Sequence, residues 1–260
     1  MSTNNYLTQL AAQAVLSGPE LQSIDTSIRT IATRLEQYFG PAVSQHFRFG
    51  SSTRGTILPR SLDVRSDIDY MIIFADSRHQ PQTYLNQLRR FVERYYSSSV
   101  IRQSAPTMVL ELNHIKFDLA PALRNPWGIL GSPYLIPDGQ GDWRGTDPNS
   151  FNSELSEANT SQRSLLKPTI RLAKMWNARA GHVFDSFIFE KWMANRSYWL
   201  CSNLRDHLFN VFDGLSPNQN VQWRNAAISR AKRIVSVTRA REQRYETKAA
   251  ANSLSKLFFY

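Results

Sequence analysis

Two aspartates separated by one residue, Asp67 and Asp69, open an apolar segment with the sequence DIDYMIIF. In a β-strand, the side chains at i and i+2 point to the same face, so the two carboxylates would emerge side by side. Neighbouring like charges are unfavourable unless a cation holds them together. The hard ions Mg²⁺ and Mn²⁺ prefer oxygen ligands of this kind. The spacing therefore indicates a divalent metal site at the start of a strand.

A third aspartate, Asp118, lies within the segment HIKFDLA. Strand alternation puts Phe117 and Leu119 on an apolar face, and Asp118 on the opposite face together with Lys116. If this strand lies beside the first, three carboxylates meet. Two metal ions held by them could then serve the attacking and leaving oxygens of a phosphoryl transfer. Taken singly, a D-x-D pair or a lone aspartate is more often an ordinary loop or surface acid.

A polar loop with two glycines, GSSTRGT, covers residues 50–56 and precedes the D-x-D segment. Gly50 permits close backbone approach to a ligand. Ser51 and Ser52 can cap a short helix whose free amide groups bind phosphate. Arg54 either adds positive charge to this loop or points outward from the turn, and the sequence leaves both open. We interpret the loop as a candidate phosphate-binding segment.

Hydrophobic periodicity predicts the elements that must position these residues. Strand patterns and two helical segments fill the front half, and residues 124–150 are rich in Gly, Pro, Asp and Asn. We therefore predict an α+β protein with a mixed-sheet core over residues 1–145, including N-terminal helices, and a helical domain over residues 146–260 that closes the active-site cleft. The predicted helices are 21–39, 81–96, 151–180, 187–213, 217–239 and 241–257, and the predicted strands are 46–49, 67–74, 107–112, 114–123 and a short one at 134–136.

The chain of 260 residues has a net charge of +10, which favours polyanionic partners, although solubility alone could account for it. Much of the excess lies within residues 221–248. A helix there would place four arginines partly on shared faces, and we name these the basic stripe: Arg230, Arg233, Arg241 and Arg244. The single cysteine, Cys201, excludes an intrachain disulfide. No signal peptide or long apolar run is recognisable, so a cytoplasmic location is expected.

The order of these motifs resembles the DNA polymerase β-type nucleotidyltransferase superfamily. The form GSSTRGTILP…SDIDYMIIF is similar in particular to the bacterial cGAS/DncV-like nucleotidyltransferases, which carry a SMODS domain. Residues 164–192, SLLKPTIRLAKMWNARAGHVFDSFIFEKW, resemble the first C-terminal helices of that family. The resemblance implies a polymerase β-like core followed by a helical domain.

The resemblance also implies roles for individual residues. Asp67, Asp69 and Asp118 would be the catalytic residues and the ligands of Mg²⁺ or Mn²⁺, and Asp118 would help to activate the acceptor hydroxyl. Lys174 would reach the triphosphate, unless it is simply a solvated lysine of an amphipathic helix. The full set of implied substrate-binding residues is Gly50, Ser51, Ser52, Lys174 and Ser186.

The implied function is synthesis of a cyclic or linear oligonucleotide signal from nucleoside or deoxynucleoside triphosphates in bacterial antiphage defence. The product would control a separate effector protein, which in some systems is membrane-bound. Compact members of the Hailong type make short DNA oligomers, and the small size of this chain leaves that version open. The basic stripe would hold the oligonucleotide product or another nucleic acid. Two alternatives remain, an antitoxin-like enzyme that modifies tRNA or protein, and an inactive nucleic-acid-binding module, against which the complete acidic triad argues.

Overall fold

Seven strands form one mixed sheet in the computed structural model, which describes residues 1–104, 106–128 and 131–259. The strands are β1 (Val43–Phe49), β2 (Asp67–Phe74), β3 (Val100–Ser104), β4 (Thr107–Glu111), β5 (Lys116–Arg124), β6 (Tyr134–Pro137) and β7 (Trp143–Thr146). Five of them follow the order β1-β2-β5-β4-β3, while β6 pairs with the end of β5 and with β7. The central pair, β2 and β5, is parallel, and the other pairs are antiparallel.

Ten α-helices accompany the sheet in the described residues. They are α1 (Thr3–Gln13), α2 (Gly18–Phe39), α3 (Ser51–Arg54), α4 (Pro81–Tyr95), α5 (Ser150–Ser161), α6 (Leu166–Arg179), α7 (Ser186–Ala194), α8 (Leu204–Gly214), α9 (Gln222–Gln243) and α10 (Thr247–Ser255). The start of α2 follows from its sequence, because Ser17 and Glu20 form a reciprocal capping box. Its end follows from Gly40, which adopts a φ of +50°.

The burial pattern of β2 explains how it carries polar residues at one end. Asp67 and Asp69 are half-buried and alternate with the buried Ile68 and Tyr70, whereas the rest of the strand is buried throughout. The apolar face of α4 packs against β3, β4, β5 and β6. The polar start of β2 is therefore less buried than the rest of the strand, and the predicted strand over residues 67–74 is confirmed.

The C-terminal helices form a second cluster together with the N-terminal helix α1. Within it, α1 packs against α6, α8 and α10, and α9 packs against α8 and α10. The predicted continuous helix over residues 151–180 is wrong, since the chain forms α5 and α6 instead. The break falls at Arg163 and Ser164, which adopt φ angles of +53° and +61°. Left-handed backbone cannot continue an α-helix, and neither residue is the glycine that usually signals such a break.

The chain divides into two compact units. The sheet unit contains Ser17–Arg60 and Arg65–Asn152, and the helical unit contains Met1–Leu16, Ser61–Val64 and Ser153–Tyr260. This division differs from the predicted boundary at residue 145, because α1 belongs with the C-terminal helices and the change of unit falls within α5. Among the described residues, no helix is long and apolar enough to cross a membrane.

Candidate active site

The parallel pairing of β2 with β5 brings the three predicted aspartates together. Asp69 is the register partner of Asp118, and Asp67 is the register partner of Lys116. Register partners on paired strands present their side chains on the same face of the sheet. The two strands therefore place three carboxylates and one ammonium group on a single polar patch at the start of β2. Asp67, Asp69 and Asp118 therefore lie on one face of the sheet, as the sequence predicted.

Lys116 makes the closest contacts within this patch. Its Nζ lies 2.9 Å from Asp67 Oδ2 and 3.5 Å from Asp118 Oδ1. The shorter contact is a charge-assisted hydrogen bond, and the longer one is an ion pair. Strand alternation predicted that Lys116 shares a face with Asp118, but its bridging position was missed, because it depends on which strand lies beside β5.

In the metal-free chain, the electrostatic environment of the patch raises the pKa of two carboxyl groups, those of Asp69 and Asp118. Burial, together with the charges of Asp67 and Asp118, raises the pKa of Asp69 to about 8, although Arg54 and Lys116 oppose the shift. Burial and the charge of Asp67 also raise the pKa of Asp118. Burial lowers the pKa of Lys116, but the two neighbouring carboxylates outweigh it and raise the pKa overall. The patch is therefore short of positive charge.

Gly50 links the predicted phosphate loop to the triad. It adopts φ +76° and ψ −152°, a backbone region that is essentially restricted to glycine. A Cβ atom at this position would overlap Asp69 Oδ2. The loop backbone thus lies directly against one of the three carboxylates, which requires the absence of a side chain.

The two serines of the loop differ in what they offer a ligand. The Ser52 hydroxyl donates to the carbonyl oxygen of Phe49 at 3.1 Å, which uses its only proton. Among the described residues, the Ser51 hydroxyl has no such hydrogen bond. A phosphate oxygen needs a donor, so Ser51 is the better placed of the two, and both roles stay predictions.

Arg54, whose orientation the sequence left open, points inward. It is buried, with its guanidinium carbon 5.4 Å from the centre of the Phe151 ring, and its charge lowers the pKa of Asp69. Arg102 is a further cation on this face that the sequence analysis missed. Arg102 pairs with Val109 on β4, and Val109 pairs with Asp118 on β5, so all three side chains share one face of the sheet. The Arg102 side chain is exposed. Both arginines add positive potential around the acids.

The three carboxylates have the chemistry that a divalent ion requires. Among the described residues, no three acidic, histidine or cysteine side chains converge on one point in ligating geometry. Asp118 Oδ1 is buried, and the cation beside it is the Lys116 ammonium at 3.5 Å, a contact longer than an ordinary hydrogen bond. Three clustered carboxylates match the oxygen preference of Mg²⁺ and Mn²⁺. The residues therefore fit such an ion, although their present conformations hold the Lys116 ammonium instead.

Two predicted substrate-binding residues lie in the helical unit. Lys174 on α6 is buried, and its Nζ lies 2.6 Å from Glu190 Oε1 on α7. It is therefore not the solvated lysine of the alternative interpretation. Ser186 is the first residue of α7, after Asp185, whose carboxylate accepts from the Ile188 amide at 2.9 Å. The predicted roles of Lys174 and Ser186 toward a nucleotide remain predictions.

The basic stripe is uneven in the structure. Arg230, Arg233 and Arg244 are exposed, whereas Arg241 is partly buried and donates to the Ala249 carbonyl at 2.9 Å. The exposed arginines keep the charge that a polyanion would contact, and Arg241 has a local structural partner.

The comparisons with known proteins agree with this geometry. Residues 1–159 match the family described as Second Messenger Oligonucleotide or Dinucleotide Synthetase domain (SMODS). The chain belongs to this family. It is also similar to a probable cyclic nucleotide synthase of Bacillus cereus (strain VD146), with 31% identity over 119 residues, or 44% of this chain. The matched part spans 35% of that relative's own length.

Solved structures share the fold over nearly the whole chain. Vibrio cholerae DncV, a cyclic AMP-GMP synthase, has a TM-score of 0.81 at 11% identity and covers 99% of this chain and 96% of its own. CdnC of E. coli MS115-1, solved with ATP, has a TM-score of 0.73 at 15% identity and covers 100% and 98%. The Bradyrhizobium diazoefficiens CD-NTase CdnG, solved with GTP, has a TM-score of 0.72 at 11% identity and covers 98% of both chains. The predicted α+β fold class is confirmed.

Proposed function

We propose that this chain is a metal-dependent nucleotidyltransferase that joins nucleoside or deoxynucleoside triphosphates into a cyclic or linear oligonucleotide signal. The observation that carries the proposal is the register pairing of Asp69 with Asp118, with Asp67 on the same face and Gly50 against Asp69. Membership of the SMODS family supports the same reaction class. The sheet therefore supplies the acids, and Gly50 of the neighbouring loop places backbone without a side chain against Asp69.

The chain's own residues suggest how the reaction would be arranged. Asp67, Asp69 and Asp118 would hold Mg²⁺ or Mn²⁺, which supplies charge stabilisation for the phosphoryl oxygens. Asp118 would also help to activate the acceptor hydroxyl by accepting its proton, as a general base does. Ser51 would donate to the triphosphate. Catalysis would consist of positioning and charge neutralisation.

We further propose that the product serves as a signal in antiphage defence and acts on a separate effector protein. The SMODS family and the similarity to a probable cyclic nucleotide synthase support a signalling product. The exposed arginines of the basic stripe are proposed to hold that product or another nucleic acid. If the enzyme is of the Hailong type, its product would be a short DNA oligomer and its substrates would be deoxynucleoside triphosphates.

The test is incorporation of labelled nucleotides by the purified chain. Each of the four ribonucleoside and four deoxyribonucleoside triphosphates would be supplied with Mg²⁺ or Mn²⁺, and the products separated by size. We expect an oligonucleotide product from at least one substrate, and its loss in Asp118→Asn. Asp76→Asn is the matched control, since Asp76 follows β2 at its opposite end and pairs with Arg78 at 2.9 Å.

Two results would decide against the proposal. Full incorporation in Asp118→Asn or in the presence of EDTA would exclude a triad-bound ion as the basis of activity. Label transferred only to added tRNA or protein, with no oligonucleotide, would favour the antitoxin-like alternative.

A further inference from the structure

The ammonium of Lys116 occupies the position where a cation is most needed in the acidic patch. It contacts one carboxylate on each of the two central strands, Asp67 on β2 and Asp118 on β5. Its side chain is only 15% exposed, so bulk water screens these contacts weakly. The position is built by the sheet, since Lys116 is the register partner of Asp67 and shares a face with Asp118.

Two arginines also lie near the patch. Arg102 is exposed on β3, with β5 and β4 between it and β2, and Arg54 is buried beside Phe151 after the end of β1. Without Lys116, the carboxylates of Asp67 and Asp118 would lose the ammonium that contacts both of them. Like charges at such a site repel strongly.

We propose that Lys116 is a positioning residue that substitutes for the divalent ion in the metal-free protein. Its ammonium holds Asp67 and Asp118 together until a metal ion binds, and it must then leave the space between them. This inference rests on the proposed metal-dependent function. It assigns Lys116 a role in metal affinity, separate from contact with the reacting atoms.

The competition has a consequence for substrate binding. An ion that binds the nucleotide-free chain must displace the ammonium with carboxylate ligands alone. An ion that arrives bound to a triphosphate brings phosphate oxygens as additional ligands, as Mg²⁺ commonly does. Lys116 therefore weakens binding of the free ion and favours the metal–triphosphate complex as the species that enters the site.

The experiment is a calorimetric titration of the nucleotide-free chain with Mn²⁺, which measures the dissociation constant of the ion. Lys116→Met keeps the length of the side chain and removes its charge, and Lys116→Gln is a second variant in case the first folds poorly. We expect the Mn²⁺ dissociation constant to fall by about 10- to 100-fold in both, the range over which the outer partners of metal ligands change affinity. Lys116→Arg, which keeps the charge, should retain the weak affinity of the wild type.

A merely structural lysine would give a different result. Its removal would lower the melting temperature equally with EDTA and with saturating Mn²⁺, and would weaken Mn²⁺ binding or leave it unchanged. If Lys116 substitutes for the ion, the stability that the variants lose in EDTA must be recovered when Mn²⁺ is added. Arg102→Met is the matched control, because it removes one positive charge from the same face and leaves the ammonium bridge between Asp67 and Asp118 in place.

The outcomes separate this inference from the function on which it rests. If the wild type binds Mn²⁺ and neither uncharged variant binds it more tightly, the role of Lys116 is refuted while the metal site stands. If neither the wild type nor any Lys116 variant binds Mn²⁺, with or without a triphosphate, both the metal site and this inference are refuted.

Discussion

Gly50 lies so close to Asp69 that a methyl group at position 50 would overlap the carboxylate oxygen Oδ2. The candidate phosphate loop and the candidate metal-binding strand are therefore one packed unit. A change in either must displace the other, and the site should be sensitive to the smallest possible addition at position 50.

Gly50→Ala is expected to abolish nucleotide incorporation, because the new methyl group must displace the Asp69 carboxylate or the loop. Gly55→Ala is the control: Gly55 also has a positive φ, +72°, but a Cβ there meets nothing within 4 Å. The control should lose about 1–2 kcal/mol of stability from its left-handed backbone and keep its activity. Incorporation rate and thermal unfolding would be measured for both. Equal activity in the two variants would contradict the close approach of Gly50 to Asp69.

The stabilisation of the chain by Mg²⁺ should increase with pH. The folded pKa of Asp69, about 8, is raised above its ordinary value of 3.8, so its contribution to stability is complete below that lower pKa and is lost as the pH rises through the folded pKa. The metal-free chain should therefore lose stability between about pH 4 and pH 8, and an ion that replaces the Asp69 proton should restore it. Thermal unfolding with Mg²⁺ or EDTA at several pH values measures the effect, which Asp69→Asn should remove. A Mg²⁺-induced shift that does not change with pH would refute the prediction.

Lys174→Met should destabilise the helical unit by about 3–5 kcal/mol, because it removes the ammonium that lies 2.6 Å from the buried Glu190 carboxylate. The double variant Lys174→Met/Glu190→Gln should recover most of this loss. Denaturant unfolding measures both. Calorimetry of triphosphate binding on the double variant then tests the role implied by the family resemblance. Wild-type affinity in a stable double variant would show that Lys174 acts only in packing.

Changing Arg230, Arg233 and Arg244 together to alanine should weaken binding of a short single-stranded oligonucleotide and reduce its salt dependence. For every phosphate of a single strand that is no longer neutralised, the slope of log affinity against log salt should become shallower by about 0.7. Fluorescence anisotropy at several salt concentrations measures both effects. Alanine at Arg89, Arg90 and Arg94, which are exposed on α4, is the control with the same change in net charge. Equal effects in the two triple variants would indicate a general charge effect and no specific role for the stripe.

The local pattern of polar and apolar residues predicted the elements that carry the site. It could not predict features that depend on which distant strands pair with each other. β2 was predicted with its observed bounds, because DIDYMIIF combines a polar start with an apolar run. β3 was missed, since VIRQS is an edge strand that alternates between exposed and partly buried residues and so carries a weak apolar signal. The bridging position of Lys116 depends on the pairing of β2 with β5, which no local pattern specifies.

Local sequence was also insufficient to predict the helices of the C-terminal half. The periodicity of residues 151–180 is helical on both sides of Arg163 and Ser164, so the break had no glycine or proline to mark it. The packing of α1 with the C-terminal helices was also not foreseen. An amphipathic helix indicates that it has an apolar face, but its sequence does not specify which unit will cover that face.

The parallel pairing of β2 with β5 also constrains how the protein is made. Asp69 and Asp118 are roughly fifty residues apart in the chain, and the segment between them forms a helix and two further strands before β5 is added next to β2. Such a non-local pairing is slow to form, because the chain must close a long loop before the two strands can pair. A nascent chain that has emerged only as far as β4 therefore has Asp67 and Asp69 but lacks both Asp118 and Lys116. The acidic patch is therefore complete only after β5 has paired with β2 in the central sheet.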